Sequence, residues 1–504
     1  MSKILYRTRS ADLLTPLAVF MRLSALATRK GQGAHRIFLE SVEGGAARGR
    51  YSIIALMPDV IWRCQDGVAT RNGKVQAEPP LDALRALIAE SQMDLPEAMP
   101  AVVGGLCGVL GYDMVRQMER LPPSPPDDVG LAEAIMVRPR LFAVIDTVRD
   151  ELTLAVPVRA PQPGAPEHAG EEAAAALLDE AEAALDGPFN ASALAESLPP
   201  GSTLAHPEAN MTKGRFLEGV AKAQAHIAAG DAFQIVLSQR FQAPFPLSPL
   251  ALYRSLRRIN PSPFMFLMDL GDYTLVGASP EILVRLKEGE VTVRPLAGTR
   301  RRGATKAEDE ALERELLADA KERSEHLMLL DLGRNDVGRV SRPGTVRVPE
   351  SFAVERYSHV MHITSMVTGQ VRGDVGPVEA LSAGFPAGTL TGAPKIRAME
   401  ILSALEPTKR GPYAGCVGWF GANGEMDTCI GLRMAVVKDG TMYVQAGAGI
   451  VADSNPEAEY EETRAKARAL FTAAERAVAM AASLGGVKGH TQRGGAGKSE
   501  GAGA

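Results

Sequence analysis

Two short acidic runs carry the clearest chemistry in this sequence. Glu322-Arg323-Ser324-Glu325 and Glu459-Tyr460-Glu461-Glu462 each hold two carboxylates three residues apart. On a helix, residues i and i+3 share a face. Glu322 with Glu325, and Glu459 with Glu462, would then present paired oxygens. One reading is a solvated acidic face. The other is a cation site, because like charges stay close where a cation neutralises them. Two neighbours favour the cation. Glu325 runs straight into the apolar stretch HLMLLDL, and Glu462 lies soon after a glycine-rich run. All-oxygen ligands suit Mg²⁺, and no His/Cys cluster competes for zinc.

Other residues add to this. Arg433 stands in CIGLRMAV, part of the run MDTCIGLRMAVV that reads as an otherwise apolar strand. Burying it without a partner is costly, so it meets either an internal anion or a ligand carboxylate. His362 lies in the alternating run RYSHVMHITSMV, as a core histidine or a site residue. Thr389, Thr391 and Lys395 sit in FPAGTLTGAPKIRAME, which is a plain helix entry or an anion site built from hydroxyl and backbone donors. Gly447-Ala448-Gly449-Ile450-Val451-Ala452 matches GxGxxA after a strand. A dinucleotide site needs a helix next, then a strand bearing an acid about 20 residues on. Beyond Pro456 the chain turns Ala-rich with no such strand. That leaves a glycine turn or a backbone cradle for a carboxylate. Gly497-Lys498-Ser499 lacks the earlier glycine of a phosphate loop.

Elements must position these groups. IFLES, YSIIAL and VIWRC read as strands, and LDALRALIAE as a helix. PRLFAVIDTVRDELTLAVPV reads as two strands turning at Arg149-Asp150-Glu151. A Pro/Gly loop and an Ala/Glu-rich helix follow. Thr212 suits an N-cap for a helix through Phe216, Val220 and Ile227. In FQIVLSQRF, Phe233, Ile235, Leu237 and Phe241 share one face, and Gln234, Ser238 and Arg240 the other. Hairpins are expected around Lys287–Glu290 and Asp439-Gly440. Hairpins mixed with helices, without regular βαβ alternation, predict an α+β fold with largely antiparallel sheets. Four stretches emerge: 1–156, a linker or insertion at 157–205, 206–484, and a disordered tail at 485–504.

Composition limits the function classes. The chain has 504 residues, and 45% are hydrophobic. Its 55 Lys plus Arg and 60 Asp plus Glu leave a net charge of −5, which disfavours nucleic-acid binding. No apolar run is long enough to span a membrane, and no targeting segment stands out. The four cysteines are far apart, which argues against a disulfide scaffold and for a reduced cytoplasmic setting.

Seven ordered motifs add a resemblance: FQIVLSQRF, ASPEILVR, RPLAGTRRRG, SEHLMLLDLGRND, YSHVMHI, GTLTGAPK and GAGIVADSNPEAEYEET. Together they resemble the chorismate-utilising enzymes, and within them the anthranilate synthase component I branch, over roughly residues 10–480. FLESVEGGAARGRYS and GGLCGVLGYDMVR are similar as well. The resemblance implies antiparallel sheets packed as a sandwich with helices outside. It implies amination of chorismate at ring C2, loss of the C4 hydroxyl, and elimination of pyruvate to leave anthranilate, the first committed step of tryptophan biosynthesis. It places Mg²⁺ on Glu325 and Glu462, with Glu322 and Glu459 as further carboxylates. His362, Glu281, Glu459 and Thr389 become catalytic candidates. Gly298, Thr299, Tyr413, Arg433, Gly447, Ala448, Gly449 and Lys466 become substrate-binding candidates.

Two positions discriminate within the family. Gln234 stands where isochorismate-forming members carry a water-activating lysine. Ala297 stands where aminodeoxychorismate synthases carry a nucleophilic lysine. Both point to amination at C2. Arg302 replaces a usual proline in GTRRRG, a change expected to alter only loop stiffness. The resemblance also implies feedback inhibition by L-tryptophan, at Glu40, Ser41, Arg50, Asn260, Pro261, Pro263, Phe264 and Met265. It implies ammonia from a separate glutamine amidotransferase subunit, hence a hetero-oligomer, since no glutaminase-like segment is visible. The alternatives are an aminodeoxychorismate synthase component I and a tryptophan-binding relative without catalysis.

Overall fold

The computed structural model describes residues 2–43, 47–97, 99–159, 168–188, 196–357 and 360–491. The tail expectation therefore lies largely outside the described residues, although a helix continues over Pro456–Thr491. The fold is α+β, and every pairing between the described strands is antiparallel.

The two halves of the sequence interleave. Strand Ile37–Glu43 pairs with Phe264–Asp269, and Leu106–Leu110 pairs with Cys416–Phe420. Alternate residues on these strands feed two cores, as the two-residue period of a strand requires. Ile37, Ala55, Phe266 and Val436 enter one core. Their neighbours Phe38, Ile54, Met265 and Ala435 enter the other. Helices roof the second core through Leu23, Leu178, Leu256 and Leu470. This is the expected arrangement of sheets inside and helices outside. No helix among the described residues is long and apolar enough to cross a membrane.

Local expectations hold in most places. Thr212 caps helix Lys213–Ala228 by accepting from the Arg215 amide. Asp439 and Gly440 take positive φ and join strands Met434–Lys438 and Thr441–Ile450. The Ala/Glu-rich segment forms helix Ala169–Asp186, whose Ala174, Leu178, Ala181 and Leu185 are buried. Ion pairs such as Arg7 with Asp179 line its rim, but exposed pairs add little. Its apolar stripe holds it down.

Three expectations fail in instructive ways. YSIIAL and VIWRC belong to one strand, Ala47–Gln65. Phe233 precedes strand Gln234–Pro244 and is 71% exposed, so it does not share the buried face. The run MDTCIGLRMAVV is split into Met426–Ile430 and Met434–Lys438. Arg433 sits at the junction with φ 49°.

Candidate active site

Strand Gln234–Pro244 pairs along its length with Thr441–Ile450, and strand Leu296–Arg301 pairs with Val360–Gln370. Helix Ala320–Gly338 begins beside them. Asp319 caps it by accepting from the amides of Lys321 and Glu322. The long C-terminal helix starts at Pro456. These six elements enclose a cavity of ≈ 640 Å³.

The cavity gathers nearly all the expected site residues. Glu322, Glu325, Glu459 and Glu462 line it, as do His362, Glu281, Thr389, Gly298, Thr299, Tyr413, Arg433, Gly447, Gly449 and Lys466. Ala448 is the exception. It faces Leu237 across the ladder and lies in a core cluster, because neighbouring strand residues point to opposite faces. The two glycines lie inside a strand rather than in a turn. A Cβ on Gly449 would stand 2.6 Å from Gln234 Nε2, and one on Gly447 would stand 3.0 Å from Tyr413 Oη. Bare backbone there makes room for Gln234 and Tyr413. Thr391 and Lys395 do not join the site. The Thr391 hydroxyl donates to the Ala387 carbonyl, and Lys395 is buried against Asp336 at 2.9 Å.

The four carboxylates are unevenly matched. Arg300 donates to Glu322 at 3.0 Å, Ser454 to Glu459 at 2.7 Å, and Lys466 pairs with Glu462 at 2.7 Å. Among the described residues, Glu325 receives only the Gln234 amide, at 3.0 Å. Burial, then the nearby charges of Glu322 and Glu462, raises the Glu325 pKa. Burial also raises that of Glu459. Among the described residues, no three His, Cys, Asp or Glu side chains stand close enough to hold an ion as placed. The donor set itself is all oxygen and crowded with like charge, which fits a hard divalent cation.

Arg433 has no ion-pair or hydrogen-bond partner for its guanidinium among the described residues, and burial lowers its pKa. Glu281 is 7% exposed, and burial pushes its carboxyl up to about 8. Thr389 donates to it at 3.2 Å. His362 Nδ1 lies 2.9 Å from the Gly298 carbonyl oxygen and 3.1 Å from Thr299 Oγ1. A carbonyl only accepts, so Nδ1 carries the proton and Nε2 is the free acceptor. Burial lowers the His362 pKa and keeps the ring neutral.

Sequence reasoning missed several supports. Gln445 lines the cavity and donates to Ser238 at 2.8 Å. Its strand period with Gly447 and Gly449 was the available signal. Arg410 is buried in a fork on Glu406 and lies 5.7 Å from the Tyr413 ring centroid. Arg302 does more than alter a loop. It forks onto Asp309 at 2.8 and 2.9 Å and donates to the Tyr357 carbonyl at 2.7 Å.

A second cavity of ≈ 360 Å³ is lined by Glu40, Ser41, Pro263, Phe264 and Met265, with Tyr51, Trp419 and Asp427 added. Arg50 stands outside that lining and pairs with Asp146. Asn260 ends helix Pro249–Ile259 and borders a separate groove, and Pro261 lines neither.

Residues 34–472 match the sequence profile of the chorismate binding enzyme family. The chain belongs to that family. Anthranilate synthase component 1 of Cereibacter sphaeroides is 49% identical, over 96% of this chain and 97% of that protein. The component 1 of Thermus thermophilus is 45% identical, over 94% and 98%. The crystal structure of anthranilate synthase component I from Streptococcus pneumoniae superposes with a TM-score of 0.75 at 36% identity, covering 92% of this chain and 98% of that one. The menaquinone-specific isochorismate synthase of Escherichia coli shares the fold, with a TM-score of 0.69 at 18% identity over 94% of this chain and 95% of its own. The family's sequence match spans both cavities.

Proposed function

We propose that this chain catalyses the anthranilate synthase component 1 reaction. Chorismate and ammonia become anthranilate, pyruvate and water. The observation that carries this reading is the joint presence, in one cavity, of Arg433, which has no ion-pair or hydrogen-bond partner among the described residues, of four carboxylates, and of the buried carboxyl of Glu281. Arg433 suits one substrate carboxylate. Lys466 is held against the Gly447 carbonyl at 2.8 Å and adds positive charge on the same wall. Glu281 keeps its proton at neutral pH and can give it to the departing C4 hydroxyl. Neutral His362 can accept a proton at Nε2, and Glu459 is a further proton-transfer candidate. Glu325 and Glu462 would hold Mg²⁺, with Glu322 and Glu459 beside them. When bound, the ion supplies positive charge against the ring carboxylate as template and Lewis acid. Gln234 cannot deprotonate water, which favours an amine product over a hydroxyl one.

Ammonia comes, on this reading, from a separate glutamine amidotransferase subunit. All four cysteines are buried. Burial pushes Cys64, Cys107 and Cys416 up to about 12, and raises Cys429 as well. None is poised as a thiolate nucleophile. Four free thiols also fit a reducing cytoplasm. The second cavity, with its proline and aromatic wall, suits the indole of L-tryptophan as a feedback inhibitor.

The test is direct. The chain is mixed with chorismate, MgCl₂ and ammonium, and anthranilate fluorescence is followed with and without L-tryptophan. Fluorescence that needs Mg²⁺ and falls with tryptophan is expected. A para-oriented amino adduct would replace this reading with the aminodeoxychorismate one. Tryptophan binding without turnover would leave a regulatory relative.

A further inference from the structure

We infer that Arg302 is a positioning residue for His362, acting through Tyr357. The inference rests on the proposed amination, in which His362 faces the reacting atoms. His362 sits between two arms. One arm is strand Leu296–Arg301, where Thr299 is paired with His362 and the Gly298 carbonyl and Thr299 hydroxyl fix Nδ1. The other arm is Tyr357, whose ring meets the imidazole edge-on with centroids 5.6 Å apart.

Arg302 ties the arms together. It follows the last residue of the strand and donates to the Tyr357 carbonyl at 2.7 Å. Its remaining nitrogens fork onto Asp309, which is 7% exposed. Asp309 also accepts the Gly303 amide at 2.8 Å, so the fork is anchored to both the loop and helix Lys306–Ala318. Bidentate guanidinium–carboxylate pairing fixes direction as well as distance. Tyr357 is tethered at its other end, where its hydroxyl donates to Glu355 at 3.0 Å and Arg294 holds Glu355 in turn. Its amide donates to the Val360 carbonyl at 2.8 Å. Without Arg302, the Tyr357 carbonyl loses its side-chain donor, while the Asp309 carboxylate keeps the Gly303 amide and Arg356 at 3.4 Å. The ring against His362 is then free to shift.

Steady-state kinetics on the full chain, in a two-residue mutant cycle, tests this. Arg302→Ala should lower kcat about tenfold while the chorismate KM stays within about twofold, because a misplaced group costs rate rather than binding. On a His362→Ala background the same substitution should change kcat by less than about twofold. Arg302→Lys, which keeps a donor, should recover part of the loss. Arg301→Ala, in the 68% exposed neighbouring side chain, should leave kcat unchanged. A full tenfold loss persisting without His362 would overturn the inference, and so would a loss confined to KM or no loss. Should Arg302→Ala fail to fold, Arg302→Lys runs the same cycle. A wild-type chain that makes no anthranilate defeats the proposed function too, whereas additive losses in an active enzyme defeat this inference alone.

Discussion

Glu40 and Glu325 are both drawn away from water, and their surroundings treat them in opposite ways. Glu40, beside the second cavity, is 7% exposed. Arg257 forks onto both its oxygens at 2.7 and 2.8 Å, and Tyr253 and Ser52 donate as well. Glu325, in the cavity of ≈ 640 Å³, has among the described residues one neutral donor, the Gln234 amide, and two carboxylate neighbours. The first charge is neutralised by the protein itself. It ties strand Ile37–Glu43 to helix Pro249–Ile259 and has no lone pair to spare for an outside amine. The second is left for something from outside. A half-buried carboxylate set among like charges is where a ligand is to be sought; a fully bonded one is framework.

The sharpest break of this contrast is Glu325→Gln. On the proposed reading, in which Glu325 would hold Mg²⁺, its loss should cost several kcal/mol of barrier, on the order of 10³-fold in turnover. Stability should not fall, because the substitution relieves like-charge repulsion. Retained activity, or a lowered melting temperature, would mean that Glu325 belongs to the framework. Chelating Mg²⁺ from the wild-type reaction should produce a comparable loss.

Glu40→Gln should do the reverse. It strands the Arg257 fork, and breaking a buried pair costs about 3 kcal/mol. Denaturant unfolding should show that loss, while turnover of the folded fraction stays close to wild type. Unchanged stability would remove the distinction between the two sites.

Glu281 gives a smaller, pH-dependent effect. Its carboxyl sits at about 8 against an ordinary 4.5, and burial is the cause. It holds its proton more tightly in the fold than in the unfolded chain. Its contribution to stability is therefore complete below about 4.5 and is lost as pH rises through about 8. As a proton donor it fails only above about 8, so kcat should fall about tenfold for each pH unit beyond that point. Glu281→Gln should abolish the limb. A limb that persists in this variant assigns the proton to another group.

Much of this was legible in the sequence, for physical reasons. The i, i+3 acidic pairs lie on helices facing one cavity, as a helix requires. The Asp439-Gly440 turn and the Thr212 cap are local, and local chemistry is written in adjacent residues. What stayed hidden depends on partners far along the chain. Nothing in IFLES names Phe264–Asp269 as its neighbour. Arg433 looked like a strand residue because its neighbours are apolar, yet its φ of 49° breaks the strand there. Lys395 looked free for a ligand because Asp336 lies 59 residues away. Ala448 was swept in with the glycines because a motif match ignores which way each residue of a strand points.

The smallest expected effect on turnover comes from the second cavity. Ser41 lines it and is half-buried, and its hydroxyl lies 3.5 Å from the Tyr51 carbonyl oxygen. Unlike Glu40, it carries no charge and anchors no helix. Ser41→Phe would place a ring in a cavity of ≈ 360 Å³ that also holds Phe264 and Trp419 in its wall. The ring takes up part of that space and crowds an indole there, so tryptophan should inhibit about tenfold less, roughly 1.4 kcal/mol of lost binding. The cavity of ≈ 640 Å³ proposed for catalysis shares none of these lining residues, so kcat and the chorismate KM should stay within about twofold. Inhibition curves on wild type and variant decide it. Inhibition that survives intact would move the tryptophan site away from Ser41. A loss of kcat instead would mean that the two cavities are coupled even without an inhibitor bound.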